Sequence, residues 1–298
     1  EKSYTNVVLS RFMLNNAANK YVNNSETNEQ LLDYQSQEIE NKLRVENFYK
    51  NNNWSTSGGF NLEQVKYNTT TLDKRLPNGF ELNYASELEL VKWGVFGNVS
   101  RTFFNRLDVS VGLRADAINF NDEMSNLLNQ LSPRISASYN LTDAFSINGN
   151  WGIYYQLPPY TTLGFRDSLG DLVNNDLTYI KSEHFVLGMA YLFSFNGRLS
   201  VEGFYKKYSN YPLLLPDSIS LANLGGDFGV IGNQPAVSVN EGRAYGVEIS
   251  YEQKLFKGMY GIGAITLVRS EFQDKNNVFV PSSWDNRMII SVTFGKKF

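Results

Sequence analysis

Cysteine is absent from the 298 residues, which removes disulfide frameworks and thiolate metal sites. Histidine occurs once, at His184, so a histidine cluster for metal binding or acid–base work cannot form. No apolar run approaches the roughly 18 residues that a spanning helix needs, and a helical membrane protein is excluded. A transmembrane barrel is not, because each of its strands gives only half its side chains to lipid. An excess of positive charge is also missing: 27 Lys and Arg stand against 30 Asp and Glu, for a net charge of -3, which argues against nucleic acid as a partner. No phosphate-binding glycine loop or dinucleotide fingerprint is present. The chain opens at Glu1 without a methionine or an export signal, and reads as a mature protein or a fragment.

Aromatic residues are abundant, at 14% of the chain, with 18 Tyr, 20 Phe and 4 Trp. Membrane-interface belts use such residues, and so do binding surfaces. Mean hydropathy is only -0.33, with 42% hydrophobic residues. The pattern matters more than the mean. In residues 131–160 (LSPRISASYNLTDAFSINGNWGIYYQLPPY), Ile135, Ala137, Tyr139 and Leu141 alternate with Ser136, Ser138 and Asn140. After a Thr142-Asp143 turn, Phe145, Ile147, Trp151, Ile153 and Tyr155 alternate with Ser146, Asn148 and Asn150. Period two separates an apolar face from a wettable one, and the tight polar turn makes an antiparallel hairpin. A soluble sandwich would produce this as readily as a membrane barrel.

The same alternation recurs along the chain. Strands are expected over about 3–14, 31–50, 54–70, 81–104, 107–121, 183–193, 198–209, 242–253, 259–272 and 287–298, with a bulge near Val91 to Val95 where the alternation slips. Residues 15–30 are polar and Asn-rich and are expected as a loop, as are 158–180 and 210–241. With the hairpin this makes about twelve strands. The connections alternate: short near 52, 105, 142, 195 and 256, longer near 22, 75, 126, 169, 225 and 279. In an up-and-down sheet every second connection lies at the same end, so short turns gather at one rim and long loops at the other. Outer-membrane barrels have that asymmetry; a Greek-key sandwich has no reason to keep it. Most strands reach the roughly 9 to 11 residues of a membrane crossing, against about 5 to 6 in soluble strands. The expected fold is all-β, an antiparallel up-and-down transmembrane β-barrel. Its inward face carries Arg114, Asp116, Arg134, Asn148, Asn150, Glu202, Glu248 and Ser250, a mixed-sign lining suited to a water-filled or plugged lumen.

The segments SPRISASYNLTDAFSINGNWGIYYQLPPY, KSEHFVLGMAYLF, VEGFYKKYSNYP and EGRAYGVEISYEQKLFKG resemble the barrel of TonB-dependent outer-membrane receptors of the type common in Bacteroidetes. The motifs are SPR at 132–134, YYQLPPY at 154–160 and GVE at 246–248, and the resemblance covers most of 31–298. It implies a 22-stranded barrel, an N-terminal plug contacted by TonB, location in the bacterial outer membrane, and import of a scarce large solute: an iron chelate, vitamin, glycan or peptide. Neither plug nor coupling box is seen, so residues 1–298 read as a single β-barrel segment whose TonB contact would run through a plug outside this chain. Against a fragment, Phe298 is in register with Phe294 and Val292, as at the end of complete outer-membrane proteins. A self-contained passive porin and a structural or adhesive protein are the alternatives.

No enzyme and no cofactor is expected. His184 alternates opposite Phe185, toward the lumen, and reads as a hydrogen-bonding residue. Glu87 with Glu89 and Glu248 with Glu252 are same-face carboxylates that suit pairing with Lys or Arg inside a hydrated barrel, or a cation. Residues 167–176 (DSLGDLVNND) are acidic but miss the calcium-loop spacing. Ligand-binding candidates are Tyr154, Gln156, Tyr160, Phe165 and Arg166, at a strand end and in the loop above it, where rings and guanidinium can stack on a sugar or chelate. Tyr155 is expected in an interfacial girdle. The apolar loop 210–241, with Leu213, Leu214, Leu215, Phe228, Val230 and Ile231, is expected to fold over the mouth as a lid or to dock a surface lipoprotein.

Overall fold

A computed structural model describes residues 2–75, 81–167, 169–224 and 232–298. Its strands are β1 (Lys2–Tyr21), β2 (Gln30–Asn51), β3 (Trp54–Asp73), β4 (Leu82–Phe103), β5 (Leu107–Ile118), β6 (Leu131–Asn140), β7 (Phe145–Gln156), β8 (Ile180–Leu192), β9 (Gly197–Leu214), β10 (Ile219–Ser220), β11 (Ala236–Phe256), β12 (Met259–Gln273), β13 (Phe279–Pro281) and β14 (Met288–Lys296). Two single-turn helices, α1 (Asp122–Ser125) and α2 (Tyr160–Leu163), lie in the loops. All fourteen strands join one antiparallel sheet in chain order, twelve long ones with β10 and β13 as short additions beside β9 and β12. Among the described residues β1 and β14 are edges that do not pair with one another.

The two-sided connection pattern is present. Tight turns follow β2, β4, β6, β8 and β11, and longer loops leave the opposite rim. The tight turns place Asn52, Asn105, Asn196 and Gly258 at positive φ, the left-handed conformation that two-residue hairpin turns require and that Asn and Gly adopt most readily. At 142–145 the Thr142 hydroxyl does the equivalent work, accepting from the amides of Ala144 (3.2 Å) and Phe145 (2.9 Å).

The outer face is a band of exposed apolar side chains: Val111 and Leu113, Ile135, Phe185, Leu187 and Met189, Val247 and Ile249, Ile265 and Leu267. Aromatics bound it at the short-turn rim, where Phe193 stacks on Phe195 and meets Tyr191 and Tyr251 edge to face. Higher up, Tyr205 stacks on Tyr245. These side chains do not enter a dry space between two sheets; they face outward, as lipid contact demands.

The strands overshoot the membrane. At about 3.3 Å per residue the 22 residues of β2 run far beyond the roughly 25 Å apolar band of such a barrel. Halfway up, both faces change character. On β3 the outward residues pass from Phe60 and Leu62 to Gln64, Lys66 and Asn68, while the inward ones pass from Asn61 and Glu63 to Val65 and Tyr67. On β4 the outward series runs from Val99 and Val95 through Val91 to Glu89 and Glu87, while the inward one changes from Lys92 to Leu90 and Leu88. The changes are in register, Glu63 opposite Lys92 and Val65 opposite Leu90. The slip in alternation near Val91 to Val95 is this reversal. The β3–β4 ladder runs through it without a shift, the β4–β5 ladder is regular from Lys92 onward, and no bulge exists there.

Two expected loops are shorter than the sequence suggests. β1 continues through the Asn-rich residues 15–21, paired without interruption to β2 from Asn15–Gln37 to Lys20–Leu32. β9 runs to Leu214 and β11 begins at Ala236, so Leu213 and Leu214 belong to a strand rather than to a 210–241 loop. Above the membrane a strand has water outside it, so polar residues there do not signal a loop.

Candidate functional site

At the long-loop rim the inner face is closed by the chain itself. Loop 157–179 leaves β7, turns through α2 and crosses to the opposite wall. There the Tyr160 hydroxyl donates to Glu40 Oε1 (3.0 Å) and Lys92 Nζ lies 3.4 Å from the same hydroxyl. Phe165 meets Tyr84 edge to face at 5.6 Å, and Arg166 donates to the Ser86 hydroxyl (3.2 Å) and the Gly170 carbonyl (2.8 Å). Asn174, 1% exposed, pins the loop to the far side: its amide donates to the carbonyls of Thr162 (2.7 Å) and Gln234 (3.0 Å), and its oxygen accepts from Ala236 N (2.8 Å). Asn121 caps α1 and also donates to the carbonyls of Asn175 and Leu177, at 2.7 and 2.9 Å.

The space between is filled by one buried cluster: Val65, Tyr67, Leu88 and Leu90 from the wall, Leu163, Leu177 and Tyr179 from the crossing loop, and Leu214, Leu221 and Ala236 from the β9–β11 side. Burying a side chain of this size is worth roughly 1.5 to 3 kcal/mol. The cluster is therefore a folded cap rather than a loose set of loops. It also explains the inward apolar residues above the reversal on β3 and β4, which meet protein instead of lumen water.

Below the cap lies a charged belt. Lys92 pairs with Glu63 (2.7 Å) and Glu40 (3.3 Å), and Lys42 pairs with Glu40 (2.5 Å) and Glu63 (3.6 Å). Arg114 chelates Asp116 through two bonds of 2.6 Å and reaches Asn61 at 3.1 Å. Burial, reinforced by the Glu40 carboxylate, pushes the Tyr160 phenol well above its ordinary value of 10.0, so it remains a neutral donor. An open cavity of about 490 Å³ sits against this belt, lined by Lys92, Arg114, Arg134, Tyr154, Gln156 and Tyr160 among others. A second, of about 470 Å³, lies beside it against Tyr154, His184, Tyr208, Tyr211, Phe272 and Trp284.

Of the residues predicted to bind ligand, Tyr154 and Gln156 line both cavities and Tyr160 one of them. Phe165 is 5% exposed and belongs to the cap, and Arg166 ties the crossing loop to β4. Tyr155 packs against the buried cluster and meets Tyr179 edge to face at 6.5 Å, rather than standing in a girdle. Register puts Arg114, Asp116, Arg134, Asn148, Asn150, Glu202, Glu248 and Ser250 on one inner face. His184 shares it, bonded to the Ser182 hydroxyl at 2.7 Å. Glu87 and Glu89 are not lumenal: they point outward above the band and share Lys66, with Glu89 at 3.1 Å. Glu248 accepts from the Thr266 hydroxyl (3.1 Å). In 167–176, Asp167 closes its own turn on the amides of Leu169 and Asp171, and among the described residues no three acidic or imidazole groups converge on a metal position. Of the lid residues, Leu214 is buried and Leu215 half-exposed, while Phe228, Val230 and Ile231 lie outside the described residues. Sequence reading missed Asn174, Lys92 and Glu40, whose partners lie on strands and loops far away in the chain.

The family model described as TonB dependent receptor-like, beta-barrel matches residues 3–290. The chain belongs to that family. It is an outer-membrane barrel chain of a receptor and transporter family, not of an enzyme family. No curated protein sequence matches it. Among solved structures it is similar to the ferripyoverdine receptor of the outer membrane of Pseudomonas aeruginosa, with 13% identity and a TM-score of 0.70 over 99% of this chain and 42% of that one. It is also similar to the ferric yersiniabactin uptake receptor of Yersinia pestis (13% identity, TM-score 0.65, 99% of this chain and 44% of that one). A copper transporter matches at 10% identity and a TM-score of 0.64 over 93% of this chain and 45% of that one. At these identities the likeness is one of fold, and the TonB-dependent barrel chain spans less than half the length of each.

Proposed function

We propose that this chain forms the wall and mouth of a TonB-dependent importer, which carries a scarce solute across the outer membrane and has no catalytic role. The observation that carries the reading is the mouth itself: a polar, mixed-charge inner wall closed toward the long-loop side by a packed cap. A passive pore would leave that route open, and an adhesin would have no need of a polar route behind its loops. Solute is captured by the inner wall beside the cap, around Tyr154, Gln156 and Tyr160, and passes along the lumenal face when energy from TonB, delivered through a plug, opens the way. Iron chelates and metal complexes are the first solutes to test, by analogy with the receptors of like fold.

The test is uptake of labelled ferric chelates by cells with and without TonB, beside conductance of the purified protein in planar bilayers. The reading expects TonB-dependent uptake and a closed basal state; steady conductance with TonB-independent uptake supports the porin instead, and neither signal supports the structural alternative. A surface lipoprotein at 210–241 has less support, because Leu214 and Leu221 are committed to the cap and, among the described residues, the exposed large apolar side chains of this stretch are Leu215, Ile219 and Val239.

A further inference from the structure

The inner wall from β6 to β12 is sorted into rungs. One rung reads Arg134, Gly152, His184, Lys206, Ala244 and Ser270, each opposite the next in register. The rung toward the cap holds Tyr154, Ser182, Tyr208, Gly242 and Phe272, also in register. Two rungs toward the short turns, Glu202 stands opposite Glu248. The positive and negative groups of this wall are thus held apart, where the belt on β2–β5 pairs them.

The cationic rung is built. The Arg134 guanidinium lies 4.4 Å over the Tyr154 ring, and that ring is 4.5 Å from the His184 imidazole. Gly152 makes room for the stack: a Cβ there would meet the Tyr154 ring and hydroxyl at 3.1 Å and Arg134 Cγ at 3.2 Å. Lys206 stands opposite His184 with its ammonium 5.7 Å from the Phe204 ring. Among the described residues neither Arg134 nor Lys206 has a carboxylate partner, although the cations of the neighbouring belt all do. Two cations without a carboxylate partner, Arg134 lining the first cavity and Lys206 opposite the His184 that lines the second, favour an anion. The rings above them, with Phe272 stacked on Tyr208 at 5.6 Å, favour a flat apolar body attached to it.

We propose that this wall binds an aryl oxyanion, a solute in which a carboxylate or phosphate is joined to an aromatic ring. The anionic group lies on Arg134, His184 and Lys206, and the ring lies against Tyr154 and Tyr208. The assignment names the solute class of the importer, and so rests on the import reading for its role, but the binding it describes is measurable without transport.

The experiment is calorimetric titration of the purified protein in detergent with phenyl phosphate, inorganic phosphate, phenol and benzylamine. Phenyl phosphate binds at least roughly tenfold more tightly than phosphate or phenol, and benzylamine does not bind. Arg134→Gln and Lys206→Gln each weaken phenyl phosphate roughly tenfold, and Gly152→Val, which crowds Arg134 and Tyr154, weakens it as well. Phenol binding as tightly as phenyl phosphate, or phenyl phosphate binding unchanged in the folded double Gln variant, overturns the proposal; the probe series decides the matter even where a variant fails to assemble. Uptake in cells is read separately. TonB-dependent import without phenyl phosphate binding removes this site alone, and binding without such import removes the transport reading and leaves the site.

Discussion

Replacing Asn174 by alanine strands the carbonyl of Gln234 and the amide of Ala236 and leaves the Thr162 carbonyl with its long bond from the Phe165 amide (3.4 Å). Leaving such groups unpaired costs roughly 1 to 3 kcal/mol each, so Asn174→Ala should loosen loop 157–179, seen as faster amide exchange at Ala236 and faster proteolysis of the loop. Tyr160→Phe should be milder, because Lys92 keeps Glu63 and Glu40. The raised phenol also sets a pH dependence. A group whose folded pKa lies above its unfolded one contributes fully below the unfolded value and loses that contribution as pH rises through the folded one. The Tyr160 contact should therefore persist past pH 10.0, and in an alkaline ultraviolet titration the tyrosinate signal lost in Tyr160→Phe should be a late one. The loop after β12 behaves oppositely. Asp274 accepts from the amides of Asn276 (2.8 Å) and Val278 (2.9 Å), which hold its carboxyl below the ordinary 3.8. Its turn is complete above that value and opens as pH falls through the lowered one, so amide protection at Val278 should disappear in strong acid.

Strand identity, chain order and the two-rim arrangement of connections were legible because period two and turn chemistry are local. Strand ends were not. The Asn-rich end of β1 and the first six residues of β11 look like loop by composition, and only a partner strand holds them extended. The apparent slip on β4 was a change of surroundings rather than of backbone. For the site, alternation put His184 toward the lumen, and position at a strand end beside a long loop singled out Tyr154 and Gln156. The rungs stayed invisible because charge sorting emerges only when six strands are placed in register. Gly246 within the GVE motif has a reason of this kind: a Cβ there would lie 2.2 Å from the Leu267 carbonyl oxygen and 2.9 Å from the Phe204 ring. Gly246→Ala should reduce the folded fraction measured by heat-modifiable mobility, whereas Gly263→Ala, whose Cβ meets nothing within 4 Å, should not. Across the outer face, Leu187→Arg should destabilise the barrel by roughly 2 to 4 kcal/mol if it lies near the bilayer midplane. Gln64→Arg, above the reversal on β3, should cost almost nothing in the same assay.

At the scale of the molecule, the cap makes the mouth a small core of its own on top of a lipid-supported wall. Deleting 157–179 should leave the sheet able to insert but expose Val65, Tyr67 and Leu88 to water. Increased binding of a hydrophobic dye, together with new conductance in planar bilayers, is the expected outcome. The matched reversal of character on β3 and β4 has a further consequence. It writes the immersion depth into the sequence as a waterline. A bilayer too thick for it would drag Gln64, Lys66, Glu87 and Glu89 beneath the surface, at a fraction of a kcal/mol for each ångström of excess. Reconstituted into lipids of increasing acyl length, the protein should be most stable at one thickness, and Lys66→Leu together with Glu89→Leu should move that optimum toward longer chains.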